Sequence, residues 1–312
     1  MKVVALAGGV GGARLAHGLQ QVLDPGDLTV VVNTADDTER HGLLVCPDHD
    51  TVMYTLAGIA NRELGWGIAG DTWAVMDQLA AYGEESWFRL SDRDFAAHIV
   101  RTARLRGGAR LTDIALDLQA SLGLATRILP MADTPVRTRV LTDEGWLDFQ
   151  DYFVRLRQEP EVRAVSFDGA ERAVASSEVR EAFGAAEAIV VCPSNPIVSV
   201  APILAVGGIR DAIDAARAAG VRVAAVSPIV GGRALKGPAD RMLASLGHEV
   251  SALGVARILS GLVDAFVLDT IDAALATDVE ALGMRAVVTD TVMTDDAARA
   301  RLAREVIDAL AG

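Results

Sequence analysis

Four glycines, Gly8, Gly9, Gly11 and Gly12, fall within five residues of the stretch LAGGVGGARLAHGL, positions 6–19. An apolar run, Val3-Val4-Ala5, precedes them, and a helical pattern with Leu15, Leu19 and Val22 follows. Glycine lets a ligand approach the backbone closely. A helix N-terminus offers free N–H groups and the positive end of a dipole. Strand, glycines and helix start together make an anion site, most often for phosphate. The dinucleotide fingerprint would need a glycine where Arg14 stands, and no Gly-Lys-Ser/Thr of a P-loop follows. The plain alternative is a tight turn that holds no ligand.

A second group lies in NTADDTERHGLLVCPDHDTVMY, residues 33–54, which carries Asp36, Asp37, Asp48 and Asp50. Two carboxylates about 4 Å apart repel by roughly 4 kcal/mol at intermediate dielectric. A shared pocket therefore needs a cation, a basic residue or a retained proton. Mg²⁺ binds through one or two carboxylates together with substrate phosphates. Asp36, Asp37 and Asp48 are the metal candidates, and a solvated acidic loop is the alternative. Further along, CPSNPIVS sets Ser194 and Asn195 in a proline-braced turn, and SPIVGGRALKGPADRM brings Ser227, Arg233 and Lys236. The latter is either a second phosphate loop or a surface turn. In WFRLSDRDFAAHIVR, Arg89, Asp92, Arg93 and Asp94 precede a helix on which His98 and Arg101 share a face. A local ion-pair cluster explains that stretch nearly as well as a site does.

The elements that must position these residues follow an α/β pattern. Residues 2–7 and 28–34 read as strands around a helix at 12–23. Apolar runs at 187–192, 221–227 and 264–269 read as buried parallel strands, with helices near 207–219, 238–247 and 251–261. A late strand at 286–293 and a helix at 295–310 close the chain. Near-continuous apolar strands alternating with helices imply a parallel sheet covered on both faces. Residues 71–122 read as mostly helical, and 136–156 as a hairpin turning at Asp143-Glu144-Gly145. The expected organisation is a Rossmann-like core of residues 1–60 and 181–312. A smaller, mainly helical insertion with a β-hairpin, residues 61–180, caps it. Open parallel sheets bind ligands at the carboxyl ends of their strands, where the glycines, the aspartate stretch and the turns at 194–195 and 227–236 fall; the Arg89–Arg101 stretch lies in the insertion.

The 312-residue chain is 51% hydrophobic with a formal net charge of −13, so it can bury a large core and lacks the basic face of a nucleic-acid binder. An acidic protein that takes phosphates needs help with charge, and a divalent cation is the usual help. Cys46 and Cys192, the two cysteines, fit a reducing cytoplasm better than a disulfide scaffold. The N-terminal apolar run is too short for a signal peptide. Residues 188–209 carry no charge until Ile209, but Pro193, Pro196 and Pro202 with Ser194-Asn195 read as a buried strand and polar turn, not a membrane helix. A dehydrogenase reading would use Asp36 on a ribose, but it lacks the third glycine and leaves three aspartates without a task.

Taken in order, GGVGGAR, VVNTADD, CPDHDTVMYTL, GWGI, LSDRD, ILPMADTPV, FQDYFVR, PSNPIVSVAPIL and VSPIVGG resemble the 2-phospho-L-lactate transferase family over nearly the whole chain. The resemblance implies a Rossmann-like core with a smaller second domain, commonly a homodimer, acting in synthesis of the deazaflavin coenzyme F420. The implied reaction is attack by a ribityl hydroxyl of the deazaflavin Fo on the phosphorus nearer the lactate of lactyl-diphospho-guanosine. GMP leaves and phospholactyl-Fo forms. In bacterial members the donor is often the enolpyruvyl analogue. The resemblance further implies that Asp50 and Arg89 contact Fo. A ribityl hydroxyl is a poor nucleophile at neutral pH, so a carboxylate there, Asp50, is expected to orient it and accept its proton. Beside this, Gly8, Gly9, Gly11 and Gly12 would cradle the diphosphate, and Ser194, Asn195 and Ser227 would line the guanosine side. Expected partners are these small molecules and Mg²⁺, with no nucleic acid and no membrane. A non-catalytic, nucleotide-sugar-binding regulator with a similar glycine-rich start is the rival reading. CPDHDT and LSDRD favour the enzyme.

Overall fold

The computed structural model describes residues 1–311. The chain opens with β1 (Val3–Ala7), α1 (Gly9–Val22) and β2 (Leu28–Val32), then a small hairpin of β3 (Thr38–Arg40) and β4 (Leu43–Val45). Helices α2 (Pro47–Leu56), α3 (Ala74–Ala81), α4 (Asp92–Arg106) and α5 (Leu111–Ser121) lead to β5 (Arg127–Pro130). Strands β6 (Arg137–Thr142), β7 (Gly145–Asp148) and β8 (Ala164–Asp168) follow, then α6 (Ser177–Gly184) and β9 (Ala188–Val191). The last part runs α7 (Ala201–Ala205), α8 (Ile209–Ala218), β10 (Arg222–Val226), β11 (Ile229–Val230), β12 (Arg233–Ala234), α9 (Ala239–Ser245) and α10 (Ala252–Ile258). It ends with β13 (Ala265–Asp269), α11 (Ala276–Glu280), β14 (Arg285–Thr289) and α12 (Asp296–Ala311).

Seven strands form one parallel sheet in the order β14-β13-β10-β9-β1-β2-β5. Period-two alternation divides its side chains between two cores. Val4, Leu6, Ile189, Val191, Val223 and Phe266 point to one face, covered by α6, α8 and α10. Val3, Ala5, Val30, Val32, Val190 and Val267 point to the other, covered by α1, α2 and α12. This is the α/β arrangement with helices on both faces that the sequence predicts. Strand order reverses between β1 and β9, and a crevice at that switch point is where open α/β sheets take ligands.

Three differences from the sequence reading have physical causes. The helix predicted from residue 12 begins at Gly9, because the glycines form its first turn. Gly9 enters it with φ +62°. The late strand stops at Thr289 instead of continuing to 293, because Thr291 turns back and gives both its N–H and its hydroxyl to Asp269 Oδ2, at 2.8 and 2.9 Å. Within the segment expected to cap the sheet, residues 61–180, β5 pairs with β2 as the edge of the main sheet. Its run Arg-Ile-Leu-Pro has only two aliphatic side chains, too few to read as a buried strand. The predicted hairpin is present as β6 and β7, and β8 adds a third antiparallel strand on the other side of β6. This small sheet packs Val140, Phe149 and Tyr152 against Val198 and Met242 of the core half. Among the described residues no helix is long and apolar enough to cross a membrane. The uncharged stretch after residue 188 divides into β9, a turn, a π-helical turn at Pro196–Val200 and α7.

Helix α1 is narrow on both flanks. A Cβ on Gly11 would lie 2.3 Å from the Pro193 carbonyl oxygen, and one on Gly18 would lie 2.2 Å from the Arg299 carbonyl oxygen. Gly18→Ala therefore has to push α12 away from α1. Overpacking of this kind costs about 1–3 kcal/mol. The expected result is a lower urea midpoint by that amount with an unchanged m-value; an unshifted midpoint would show that the two helices tolerate the separation.

Candidate functional site

The site is built where β1 and β9 end side by side. Gly8 caps α1, and its N–H donates to Ser194 Oγ at 3.0 Å while that hydroxyl donates back to the Gly8 carbonyl at 2.9 Å. A Cβ on Gly12 would stand 2.6 Å from Ser194 Oγ. The glycines let the β9 turn close on the helix, and the helix start they form leaves Val10 and Gly11 without an intrahelical acceptor for their N–H groups. The sequence predicts such a helix start as an anion site.

Pro47 opens α2, a position that suits its missing N–H. Asp48 and Asp50 stand in the first turn of that helix, where the positive end of the helix dipole favours them. They face different surroundings. Asp48 meets the start of α1: its Oδ2 would be 2.6 Å from a Cβ on Gly8, and it accepts from Asn33 Nδ2 at 3.0 Å. Asn33, wholly buried at the end of β2, also donates to the Val198 carbonyl at 3.3 Å and accepts from Ala35 N–H at 2.9 Å. Asp36 lies in the same pocket. Burial, and next the Asp48 charge, raise the Asp36 carboxyl well above its ordinary range. Burial likewise raises Asp48 to about 6, against the pull of the Asn33 amide and the Gly9 N–H. Asp36 Oδ1 is buried with no hydrogen-bond partner. Two buried carboxylates with raised pKa, one of them raised also by the other's charge, at the start of a helix fit one divalent cation shared with phosphate oxygens.

Asp37 belongs elsewhere. Its Oδ2 accepts from the Cys46 thiol at 3.0 Å, and burial raises it to about 7. The expected trio of Asp36, Asp37 and Asp48 is therefore divided, and Asp37 faces the thiol. Among the described residues, the one trio with ligand atoms all within 4.8 Å of one another is Asp50, Asp94 and His98. That trio already has partners of its own. Arg101, 1% exposed, pairs with Asp50 Oδ1. Tyr54 OH donates to Asp94 Oδ1 at 2.7 Å. His98 Nδ1 lies 3.7 Å from Asp50 Oδ2, and its Nε2 lies 3.4 Å from Asp94 Oδ2. Asp94, His98 and Arg101 fall on one face of α4, and Thr102 ties that helix to β4 by accepting the Leu44 N–H at 2.8 Å.

Burial pushes the Asp50 carboxyl up, but the Arg101 guanidinium, with His49 and His98, outweighs it and holds Asp50 below the usual carboxylate range. The structure gives Asp50 a fixed charge and a fixed place, and lowers its basicity. Oδ2 is buried without a hydrogen-bond donor, so it has a lone pair to offer a ligand hydroxyl. The sequence places His98 and Arg101 on one helix face but not beside Asp50, 48 and 51 residues away, because nothing in their spacing tells which helix α4 packs against. Asn33 passed unnoticed in the motif NTADD for the same reason.

Arg89 sits just before α4, exposed, with its guanidinium 4.4 Å over the Trp73 ring; Trp66 meets Trp73 edge-on at 5.8 Å. Arg89 makes no ion pair with the Asp50 cluster. The guanosine-side candidates are occupied by their own turns. Ser194 Oγ bridges both backbone groups of Gly8. Asn195 Oδ1 accepts from Ile197 N–H at 2.9 Å and caps the π-helical turn. Ser227 Oγ exchanges hydrogen bonds with Ile229 at 2.8 and 3.1 Å. These three shape the crevice wall. The exposed Arg233 and Lys236 are carried by the β11–β12 hairpin and the turn after it.

Leaving Asp50 charged and buried without its partner is costly. Arg101→Leu is expected to lose about 3–5 kcal/mol, and Asp50→Asn with Arg101→Leu to regain most of it, as read from urea denaturation. The folded pKa of Asp50 lies below its unfolded value, so its stabilising share is present above about pH 4 and lost as pH falls through the folded value. Wild type and double variant should therefore converge on acidification. A single variant as stable as wild type at pH 7 would refute the pairing.

Comparison with known proteins places this geometry. A model of the family described as 2-phospho-L-lactate transferase CofD matches residues 3–309. The phosphoenolpyruvate transferase of Streptomyces griseus subsp. griseus is 46% identical over 314 residues, spanning 99% of this chain and 98% of that protein. The 2-phospho-L-lactate transferase of Methanosarcina mazei is 40% identical over 307 residues, spanning 98% and 100%. A crystal structure of a UPF0052 family member from Bacillus halodurans matches at a TM-score of 0.62 and 14% identity, over 98% of each chain, and so shares the fold.

Proposed function

The chain belongs to the 2-phospho-L-lactate transferase family of transferases, and from that premise we propose a reaction for its crevice. A ribityl hydroxyl of Fo attacks the phosphorus nearer the three-carbon acid of a guanosine diphosphate ester. The bond from that phosphorus to the GMP phosphate oxygen breaks, GMP leaves with the electron pair, and the acid's phosphodiester to Fo forms. The hydroxyl proton passes to solvent or to the leaving phosphate. The names of the Streptomyces and Methanosarcina relatives point to enolpyruvyl and lactyl donors respectively; the nearer match to the former favours the enolpyruvyl ester.

One observation carries this reading: Asp48 and Asp50 share the first turn of α2, yet one faces the α1 amides and the other the Arg101 cluster. A donor side and an acceptor side therefore meet within one helical turn. On the donor side, the N–H groups of Val10 and Gly11, which have no intrahelical acceptor, would receive the diphosphate, and Gly8, Gly9 and Gly12 would leave room for it to approach. Asp36 and Asp48 would hold Mg²⁺, which when bound neutralises charge on the diphosphate. Phosphoryl transfer rests mainly on such positioning and charge stabilisation. On the acceptor side, Asp50 Oδ2 takes a hydrogen bond from the Fo hydroxyl and aims its oxygen. Trp73 and Arg89 offer a flat, cationic surface for the deazaflavin ring. The backbone turns at Ser194, Asn195 and Ser227 wall the guanosine side. The net charge of −13 supports work without nucleic acid, the two unpaired cysteines support a reducing cytoplasm, and the homodimer rests on the family resemblance alone.

Incubation with Fo, Mg²⁺ and each donor in turn, followed by weighing of the products, tests the reaction; the lactyl and enolpyruvyl products differ by two hydrogens. Dialysis against EDTA should abolish turnover and Mg²⁺ restore it, with Asp48→Asn needing more Mg²⁺ for half-activity. Full turnover in metal-free enzyme would overturn the metal assignment.

Asp50→Asn keeps the size of the side chain and loses its charge and acceptor. Turnover should fall by about 10²-fold, the size of effect that losing the aim of a reacting group has. GDP affinity should stay within a few-fold, and excess Mg²⁺ should not rescue the rate. Rescue by Mg²⁺ would instead make Asp50 a metal ligand.

A further inference from the structure

Outside this crevice, a groove between α1, the end of α2, the chain after it and the start of α12 gathers Arg14, Arg62 and Arg299, with Thr55 and Asn61 beside them. In a chain of net charge −13, three guanidinium groups at one groove are out of proportion. Asp296 is the carboxylate that meets them, 2.9 Å from Arg62 and 3.1 Å from Arg299. Asp295, at the helix start, gives an oxygen to the Ala298 N–H. Among the described residues no carboxylate lies within ion-pair distance of Arg14. His17 flanks the group, its Nδ1 3.4 Å from Arg299 and 3.9 Å from Asp296.

Arg299 gives the second, independent observation. It is 7% exposed, lines the groove, and its buried Nε–H has no acceptor. A buried donor without a partner calls for an explanation, and a buried cation for a counter-charge. The groove encloses ≈ 30 Å³ of open space, enough for one small anion and far too little for a nucleotide. Guanidinium groups match the oxygens of phosphate in pairs of parallel hydrogen bonds.

We propose that this groove is a second anion site, taking a tetrahedral oxyanion, free or as the phosphoryl end of a small metabolite, between Arg14, Arg62 and Arg299. It stands apart from the catalytic crevice: Arg14 lies a turn beyond the α1 amides, and none of Asp36, Asp48 or Asp50 lines it. The segment that supplies Asn61 and Arg62 leaves the C-terminal end of α2, whose first turn carries Asp48 and Asp50. An anion bound there ties that segment to α1 and α12, which makes the site an effector site for a phosphorylated small molecule.

The test is calorimetry on the full chain with Mg²⁺ and GDP saturating, at constant ionic strength. Inorganic phosphate, glycerol phosphate and acetate are titrated separately. Phosphate should bind wild type, and Arg14→Gln and Arg62→Gln should each weaken it at least tenfold. Both side chains are partly exposed, so both variants should fold with wild-type melting behaviour and keep wild-type turnover in phosphate-free buffer. Tighter binding of glycerol phosphate supports a phosphomonoester effector, and tighter binding of inorganic phosphate supports the free ion. Phosphate affinity unchanged in both variants, absence of binding in wild type, or acetate bound as tightly as phosphate would each overturn the proposal. Because the two variants read the groove directly, this outcome is independent of whether GDP proves to be the donor-side ligand.

Discussion

At Gly8, Gly11 and Gly12 the start of α1 has no room for side chains, and much of the site depends on that. Gly8 is pressed by Asp48 and Ser199, Gly11 by the Pro193 carbonyl, and Gly12 by Ser194. Three chain segments from distant parts of the sequence can meet there only because no Cβ intervenes. The closeness brings the β9 turn and the start of α2 against the helix start at the β1–β9 switch point. It also places the Asp48 carboxylate against the first-turn amides. If the proposed diphosphate enters there, one small volume holds two negative groups, which is the conflict the proposed Mg²⁺ would relieve.

Charge is partitioned over short distances. Burial raises Asp36 and Asp48, and the Asp48 charge raises Asp36 further, while Asp50, two residues beyond Asp48, is held low by Arg101. The division follows from helical geometry: positions two apart on α2 point to different faces. One face looks at α1, the other at α4. A fixed anion beside a fixed cation in a closed pocket orients a hydroxyl well and takes its proton poorly. In the proposed reaction the acceptor side is therefore a matter of aim, in keeping with bond changes that lie at phosphorus.

The parallel sheet, its strand limits to within a few residues, and the glycine-marked helix entry were legible because apolar runs and glycine clusters are local signals. β5 was not, since Ile128 and Leu129 alone make too short a run. The four aspartates stood out by density, but their sorting into a pair, a thiol partner and an ion pair depends on Asn33, Cys46 and Arg101, which the fold delivers from other elements. Ser194, Asn195 and Ser227 look like ligand donors in sequence and serve as turn makers in the fold, because short polar side chains beside prolines and glycines satisfy neighbouring backbone groups first. Family motifs carried the function further than spacing could.

Helix α1 also lacks a side chain on its far flank, where Gly18 receives the backbone of α12 at Arg299. Held at Gly11 and Gly18 between two backbones, this helix accepts no side chain at either contact. Its position is set by main-chain atoms of the β9 turn and of α12, not by side-chain packing that could be exchanged. Sequence drift on α1 is therefore confined to positions between the two contacts, such as Arg14, and the helix start keeps its place against the sheet whatever those positions carry.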